Sequence, residues 1–381
     1  MWGRRYDLDW LRVFAFGVLI FYHVGMFYVT WDWIVKSRYS APFLEPVMGL
    51  TNPWRLALLF FISGAAVRFA IDKTTLGIFL PERFTRLLVP LAFGMAVICV
   101  PQAYAELRYL GEIEPGFFAF YRDYLGYGDF SIVAPPWYHL WYVAYILVYT
   151  LIAVACLPLL RPAATAFGGS FVAWLARGRA WRLLFVPALP FAAYAVTLDP
   201  YFPTTLALWG DWANIAQTLT FFLIGFAAAK SEDFWNAVDR TLPASIFLSL
   251  VLGGLLLTAL LNQFAVGSDL QLLNAVLLLR EFYAWSIIVM LLGLGRRFAN
   301  CASPTLTHLN SAIFPYYILH QTIIVLVGYW FTVNEASVAI EATTMVGATV
   351  IGCILGYEVL RRVPALRPLF GLPKRRRRAE A

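Results

Sequence analysis

Charge is scarce in this sequence. Asp, Glu, Lys and Arg make up 13% of its 381 residues, where an average soluble domain carries about 25%. A chain of this length with so few charges cannot cover a water-facing surface, so an ordinary soluble fold is excluded. Cysteine is scarcer still. Of the four, Cys99, Cys156 and Cys353 fall in apolar runs and Cys301 in an inner segment, which leaves no outward-facing pair for a disulfide and no metal-ligand spacing. The sequence shows no repeat strong enough to mark two transporter halves and no soluble catalytic domain. A cleavable signal peptide is not expected either, because the first apolar run is too long and lacks a small-residue cleavage site; it reads as an anchor.

What the sequence has instead is apolar surface: 61% hydrophobic residues, 17% aromatic, and a mean hydropathy of +0.70. Runs long enough to cross a bilayer fall at 10–30, 54–71, 87–104, 137–160, 183–198, 213–229, 244–264, 272–294, 311–332 and 338–360. The fifth is interrupted by Pro187 and Pro190, which membrane helices tolerate where neighbours satisfy the freed backbone groups. The fold class predicted is an all-α polytopic membrane protein of about ten transmembrane helices. With the N-terminus inside, the inner segments hold 22 of the 29 Lys and Arg, from Arg4 and Arg5 to the "KRRRR" tail, and the outer segments only Lys36, Arg38, Arg108 and Arg122. The positive-inside rule therefore places both termini in the cytoplasm. Residues 1–366 read as one membrane-embedded domain and 367–381 as a basic tail. The net charge of +7 lies along the inner face, which suits anionic lipid and not nucleic acid. The segment 105–136 is the longest outer loop, acidic and aromatic, with Tyr127 among its tyrosines.

Ionisable groups at membrane depth are functional candidates because each is costly there unless it faces protein or water. In "LDWLRVFAFGVLIFYHVGMFY", residues 8–28, Arg12 and His23 are eleven positions apart. At about 100° per residue they share one helix face, roughly 16 Å apart along the axis. His23 lies in the outer half of its span, with Arg280 and Glu281 of the eighth span at nearly the same level and His320 near the middle of the ninth. A buried histidine also serves as an interhelical hydrogen-bond partner, and that reading stays open for His320, with Tyr316 and Tyr317 one turn back and Gln321 beside it. Adjacent on a helix, Arg280 and Glu281 point about 100° apart. They are not expected to be simply a pair; at least one should meet another helix.

A second constellation is basic. "FFISGAAVR" ends the second span in Arg68, and "PERFTRLLVP" opens the third with Arg83 and Arg86 on one stripe. Guanidinium groups suit phosphate, because the planar fork donates two hydrogen bonds and stays charged. Ordinary positive-inside flanking is the alternative. Small-residue pairs such as Gly352 and Gly356 mark close helix packing.

Together, "LDWLRVFAFGVLIFYH", "FFISGAAVR", "RFTRLLVP", "HLWYV" and "FPYYILHQTIIV" resemble the acyltransferase-3 family of membrane acyltransferases, over about residues 5–360. The resemblance implies an enzyme of the bacterial cytoplasmic (inner) membrane. It would move an acyl group, acetyl or succinyl, from cytoplasmic acyl-coenzyme A to a hydroxyl, commonly of an extracytoplasmic glycan. It further implies roles for Arg12 and His23 in activity and for Arg68, Arg83 and Arg86 in holding the donor. His23 would act as general base, for which a neutral imidazole is suited, or would carry the acyl group covalently. Glu281 or His320 would orient that imidazole. Arg280 or Tyr317 would face the oxyanion, and His139, Trp141 and neighbouring aromatics would meet the substrate, unless they form an interfacial aromatic belt. No metal or prosthetic group is expected, and a homo-oligomer is left open. The competing class is a proton-coupled transporter of an anionic solute, since intramembrane His, Arg and Glu also build relays.

Overall fold

A computed structural model describes residues 3–126, 128–133, 135–158, 173–262 and 270–373, and all regular structure within them is helical. The helices are α1 Tyr6–Met26, α2 Glu45–Ile71, α3 Leu76–Phe93, α4 Val100–Tyr109, α5 Phe117–Leu125, α6 Trp141–Ala155, α7 Ala180–Phe185 and α8 Leu189–Thr197. They continue with α9 Trp212–Ala228, α10 Glu232–Leu261, α11 Leu270–Phe298, α12 Pro304–Val333 and α13 Val338–Arg362. Among the described residues nine helical stretches are long and apolar enough to cross a membrane, with α3 running on into α4 and α7 into α8; α9, at 17 residues, is a shorter tenth. Each expected run falls on one of these ten. Tyr127, Arg161 and the basic run Lys374–Arg378 lie outside the described residues.

Several boundaries differ from the hydropathy runs, because a helix can extend polar turns beyond the apolar core. The second span starts at Glu45 and the third at Leu76, so Arg83 and Arg86 stand inside α3 and not at its start. The segment 105–136, expected as an outer loop, is no simple loop, since it contains α5.

The chain divides into two compact units. The first comprises Met1–Val18, Pro46–Leu76 and Val148–Leu306, and the second Leu19–Glu45, Gly77–Leu147 and Thr307–Ala381.

In the first unit α2 and α9 cross with backbone against backbone. A Cβ on Gly64 would stand 1.8 Å from the Phe222 carbonyl oxygen and one on Gly225 1.9 Å from that of Phe61, so only glycine fits at either position. Phe191 and Phe221 stack at 3.9 Å beside this crossing. The break between α7 and α8 has a local cause. Pro187 has no N–H to give the Leu183 carbonyl one turn back, and Trp285 Nε1 of α11 donates to that carbonyl at 2.8 Å. Fully buried Asp7 pairs with Arg5, whose guanidinium lies 3.8 Å from the Trp235 ring centre on α10.

In the second unit Val24 near the end of α1, with Phe27 and Tyr28 in the turn just after it, packs with Ile324, Val325 and Phe331 of α12 and Met345 of α13. The loop after α1 is tied down by Lys36. Its Nζ donates to the carbonyls of Met26 at 2.6 Å, Trp31 at 2.9 Å and Val29. Burial lowers the pKa of this ammonium, opposed by Asp32 and Glu45. Between α3 and α4 the chain makes a π-turn, Gly94–Ile98. Pro101 cannot donate to the ladder there, and hydroxyls take up the loosened carbonyls: Tyr124 donates to Met95 at 2.8 Å, Tyr121 to Ala96 at 2.7 Å and Thr322 to Ile98 at 2.8 Å. That is why α5 folds onto α3 and α4. The first residues of the expected basic tail are folded as well: Pro368–Phe370 forms a 3-10 turn whose buried Phe370 meets Phe93 edge to face.

Candidate active site

The second unit gathers three histidines. His23 comes from α1, His139 from the 3-10 turn Tyr138–Leu140 that opens α6, and His320 from α12. His23 Nδ1 lies 2.8 Å from His320 Nε2, with the two rings within 14° of parallel. His320 Nδ1 lies 2.6 Å from the Tyr317 carbonyl oxygen. His320 is fully buried, while His23 is half-buried.

The partners determine where the hydrogens sit when both rings are neutral. A carbonyl only accepts, so His320 Nδ1 carries the hydrogen and His320 Nε2 is an acceptor. His23 Nδ1 must then donate to it, which leaves His23 Nε2 with a lone pair and no hydrogen. One imidazole thus fixes the tautomer and plane of the other, much as a third group orients a general base in nucleophilic sites. The half-buried ring is the one left able to take a proton.

Around the pair, His139 Nε2 donates to the Ile318 carbonyl at 3.1 Å and its ring stands edge-on to His320, centroids 5.1 Å apart. Tyr317 is buried and its hydroxyl donates to the His139 carbonyl, so that hydrogen is already engaged. Trp141 is buried against Tyr145. Immediately after His320 on α12, a network whose Gln102 and Thr322 sequence reasoning missed links Gln102 Nε2 to Thr322 Oγ1 at 2.7 Å and Gln321 Nε2 to Gln102 Oε1 at 3.1 Å. Its signal was a glutamine in an apolar run. Arg83 and Arg86 also belong to this unit; Arg83 lies over the Phe79 ring and Arg86 is exposed.

The remaining candidates lie in the first unit. Arg12 pairs loosely with Asp9 at 3.7 Å. Arg68 faces Asp72 at 3.4 Å, which also takes Lys230 at 2.6 Å. Arg280 and Glu281 do pair with each other, at 2.8 Å, because long side chains reach around the 100° between them. Each also has a partner elsewhere: Arg280 reaches Asp199 at 3.0 Å and Glu281 accepts from Gln217 Nε2 of α9 at 2.8 Å. Neither Asp199 nor Gln217 was picked out from sequence. Among the described residues no cluster of three or more His, Cys, Asp or Glu could hold a metal ion.

An acyltransferase domain matches residues 5–358. The chain belongs to the acyltransferase-3 family, and its apolar helices make it an integral membrane acyltransferase. Among curated proteins it is similar to glucans biosynthesis protein C of Salmonella paratyphi A and of Salmonella agona, each 22% identical over 96% of this chain and 94% of the relative. The protein of that name from Salmonella typhimurium is also 22% identical, over 99% of this chain and 97% of its own length. No solved structure matches.

Proposed function

We propose that this membrane acyltransferase moves an acetyl or succinyl group from acyl-coenzyme A to a hydroxyl of an extracytoplasmic glycan, with His23 as general base. The observation that carries this reading is the hydrogen-bonded pair, His23 Nδ1 on His320 Nε2 at 2.8 Å and His320 Nδ1 on a backbone carbonyl at 2.6 Å. It presents an acceptor nitrogen on a half-buried ring and holds it in one tautomer. In the reaction the hydroxyl oxygen attacks the thioester carbonyl as its proton passes to His23 Nε2. The new C–O bond forms, the C–S bond breaks, and the coenzyme A thiolate leaves and recovers the proton from His23. His320 holds the imidazole in plane as its charge rises.

Arg83 and Arg86 are suited to the phosphates of the donor, and the family motif extends that proposal to Arg12 and Arg68. Glucan is the acceptor suggested by the name of the curated relatives. Both termini belong on the cytoplasmic side of an inner membrane, the side where the donor is made. The test uses purified protein in lipid with acetyl- or succinyl-coenzyme A and a glucan acceptor, following free thiol release. Acceptor-dependent release by wild type that falls to background in folded His23→Ala supports the proposal and identifies the acyl group. Unchanged release by His23→Ala removes His23 from the chemistry.

A further inference from the structure

The histidine pair does not stand alone. His139 is buried at 5% exposure, yet it leads a helix and follows a residue in an uncommon conformation: Tyr138 has φ of 41°, a left-handed backbone that a tyrosine seldom adopts. Two contacts hold that turn. Tyr138 Oη donates to the Glu106 carboxylate at 2.5 Å, and the Tyr317 hydroxyl donates to the His139 carbonyl. The consequence of the left-handed turn is that consecutive side chains serve different partners, Tyr138 meeting Glu106 while His139 meets α12.

On α12 the contacts of His139 are confined to the turn that carries His320. Its Nε2 donates to the Ile318 carbonyl at 3.1 Å, and its ring stands at 83° to the His320 ring. Its Nδ1 is buried with no hydrogen-bond partner. A structural histidine normally uses both nitrogens, because a buried polar atom left unsatisfied is destabilising. Here one nitrogen is left without a partner while the ring edge bears on His320.

We infer that His139 is a positioning residue for acyl transfer: through its edge contact and its Ile318 hydrogen bond it holds the His320 ring in the plane that receives the His23 Nδ1 hydrogen. The inference rests on the reading of His23 as base. It makes a distinction between the two functions of the ring, since glutamine can reproduce the Nε2–H donor and leucine can fill the volume without it.

The test compares wild type, His139→Gln and His139→Leu in lipid bilayers, with ¹⁵N-labelled histidine. The sequence has four histidines, so each ring signal can be assigned by substitution. Wild type and His139→Gln are expected to show His23 and His320 as single tautomers with hydrogen on Nδ1. In His139→Leu the His320 signal should divide between tautomers, kcat should fall about tenfold to a hundredfold, as for a base held out of line, and KM for the donor should stay unchanged. His139→Gln should restore kcat to within about threefold of wild type. Single tautomers and an unchanged kcat in His139→Leu overturn the inference, as does a His139→Gln protein no better than His139→Leu. The tautomers are read without turnover, so they separate this inference from the proposed function: activity retained by His23→Ala defeats the latter, whatever the ring signals show.

Discussion

Substituting Gly225 by alanine should be among the most damaging single methyls that the first unit can receive. The added Cβ would stand 1.9 Å from the Phe61 carbonyl oxygen and 2.7 Å from its carbon. Backbone atoms cannot rotate aside as a side-chain tip can. Ordinary contact begins at 3.4 Å, so α2 and α9 must part by about 1.5 Å, and a gap of about 1 Å already forfeits up to half of the dispersion energy of the contacts it opens. Phe60, Phe61, Phe221 and Phe222, all buried at 1% exposure or less, lie at this crossing. The expected cost is about 2–4 kcal/mol, at or above the upper end for overpacking. Gly64→Ala should cost as much, its Cβ meeting the Phe222 oxygen at 1.8 Å. The double variant should cost less than the sum, since the first methyl has already separated the helices. Gly17→Ala and Gly254→Ala serve as controls, because no atom lies within 4 Å of either added Cβ; they should be neutral or stabilise by up to about 1 kcal/mol. The assay is reversible unfolding in mixed micelles with increasing SDS. Gly225→Ala within about 0.5 kcal/mol of the controls would refute the backbone crossing, as overpacking of this kind costs at least about 1 kcal/mol.

Two further outcomes follow from single hydrogen bonds and a third from the Lys36 ammonium. Trp285→Phe removes the donor that satisfies the Leu183 carbonyl at 2.8 Å; it should cost about 1–3 kcal/mol in the same unfolding assay, the penalty of a buried acceptor left unpaired. Tyr124→Phe uncovers the Met95 carbonyl of the π-turn, and hydrogen exchange at residues 94–100 should quicken by about tenfold, which corresponds to roughly 1.4 kcal/mol. Folding lowers the Lys36 pKa from its ordinary 10.5, so in the window just below 10.5 the unfolded chain binds more protons and stability rises with pH. Melting temperatures measured across that window should climb in wild type and lose the Lys36 part of the climb in Lys36→Met.

The fold was legible where apolar runs are long and uninterrupted. The described part of each of the ten runs lies on helical structure, broken within the fifth at Pro187 and within the third at the π-turn, because a span of membrane length demands internally hydrogen-bonded backbone. Helix starts were less legible: α2 begins with Glu45 and Pro46, and in α3 the apolar first turn is separated from the main apolar run by Pro81, Glu82, Arg83 and Arg86, so hydropathy does not register either start. The aromatic helix α5 was hidden for a different reason. It is held by tertiary contacts, its tyrosines capping π-turn carbonyls that no local pattern reveals. The packing of Gly352 and Gly356 against Ile323 and Leu319 of α12 follows the small-residue pattern, whereas the tighter Gly64 and Gly225 crossing left no such mark in sequence. At the site, spacing gives height along each helix but not which way a side chain is turned. His23, Arg280 and Glu281 were assigned nearly one level, and His320 the middle of its span. The structure pairs His23 with His320 in one unit and sets Arg280 and Glu281 with Asp199 and Gln217 in the other. A helical position gives height from spacing alone, while the partner depends on which helices pack together.

The proposed base is tested most directly by chemical rescue. Single-turnover transfer from the acyl-coenzyme A donor to glucan would be measured for wild type and His23→Gly, with and without added imidazole. Loss of a general base should slow transfer by about 10²–10⁴-fold, and imidazole entering the vacated space beside His320 should recover a saturable part of that rate. His23→Gly turning over at the wild-type rate, or a slowed variant that no concentration of imidazole accelerates, would contradict a base at His23.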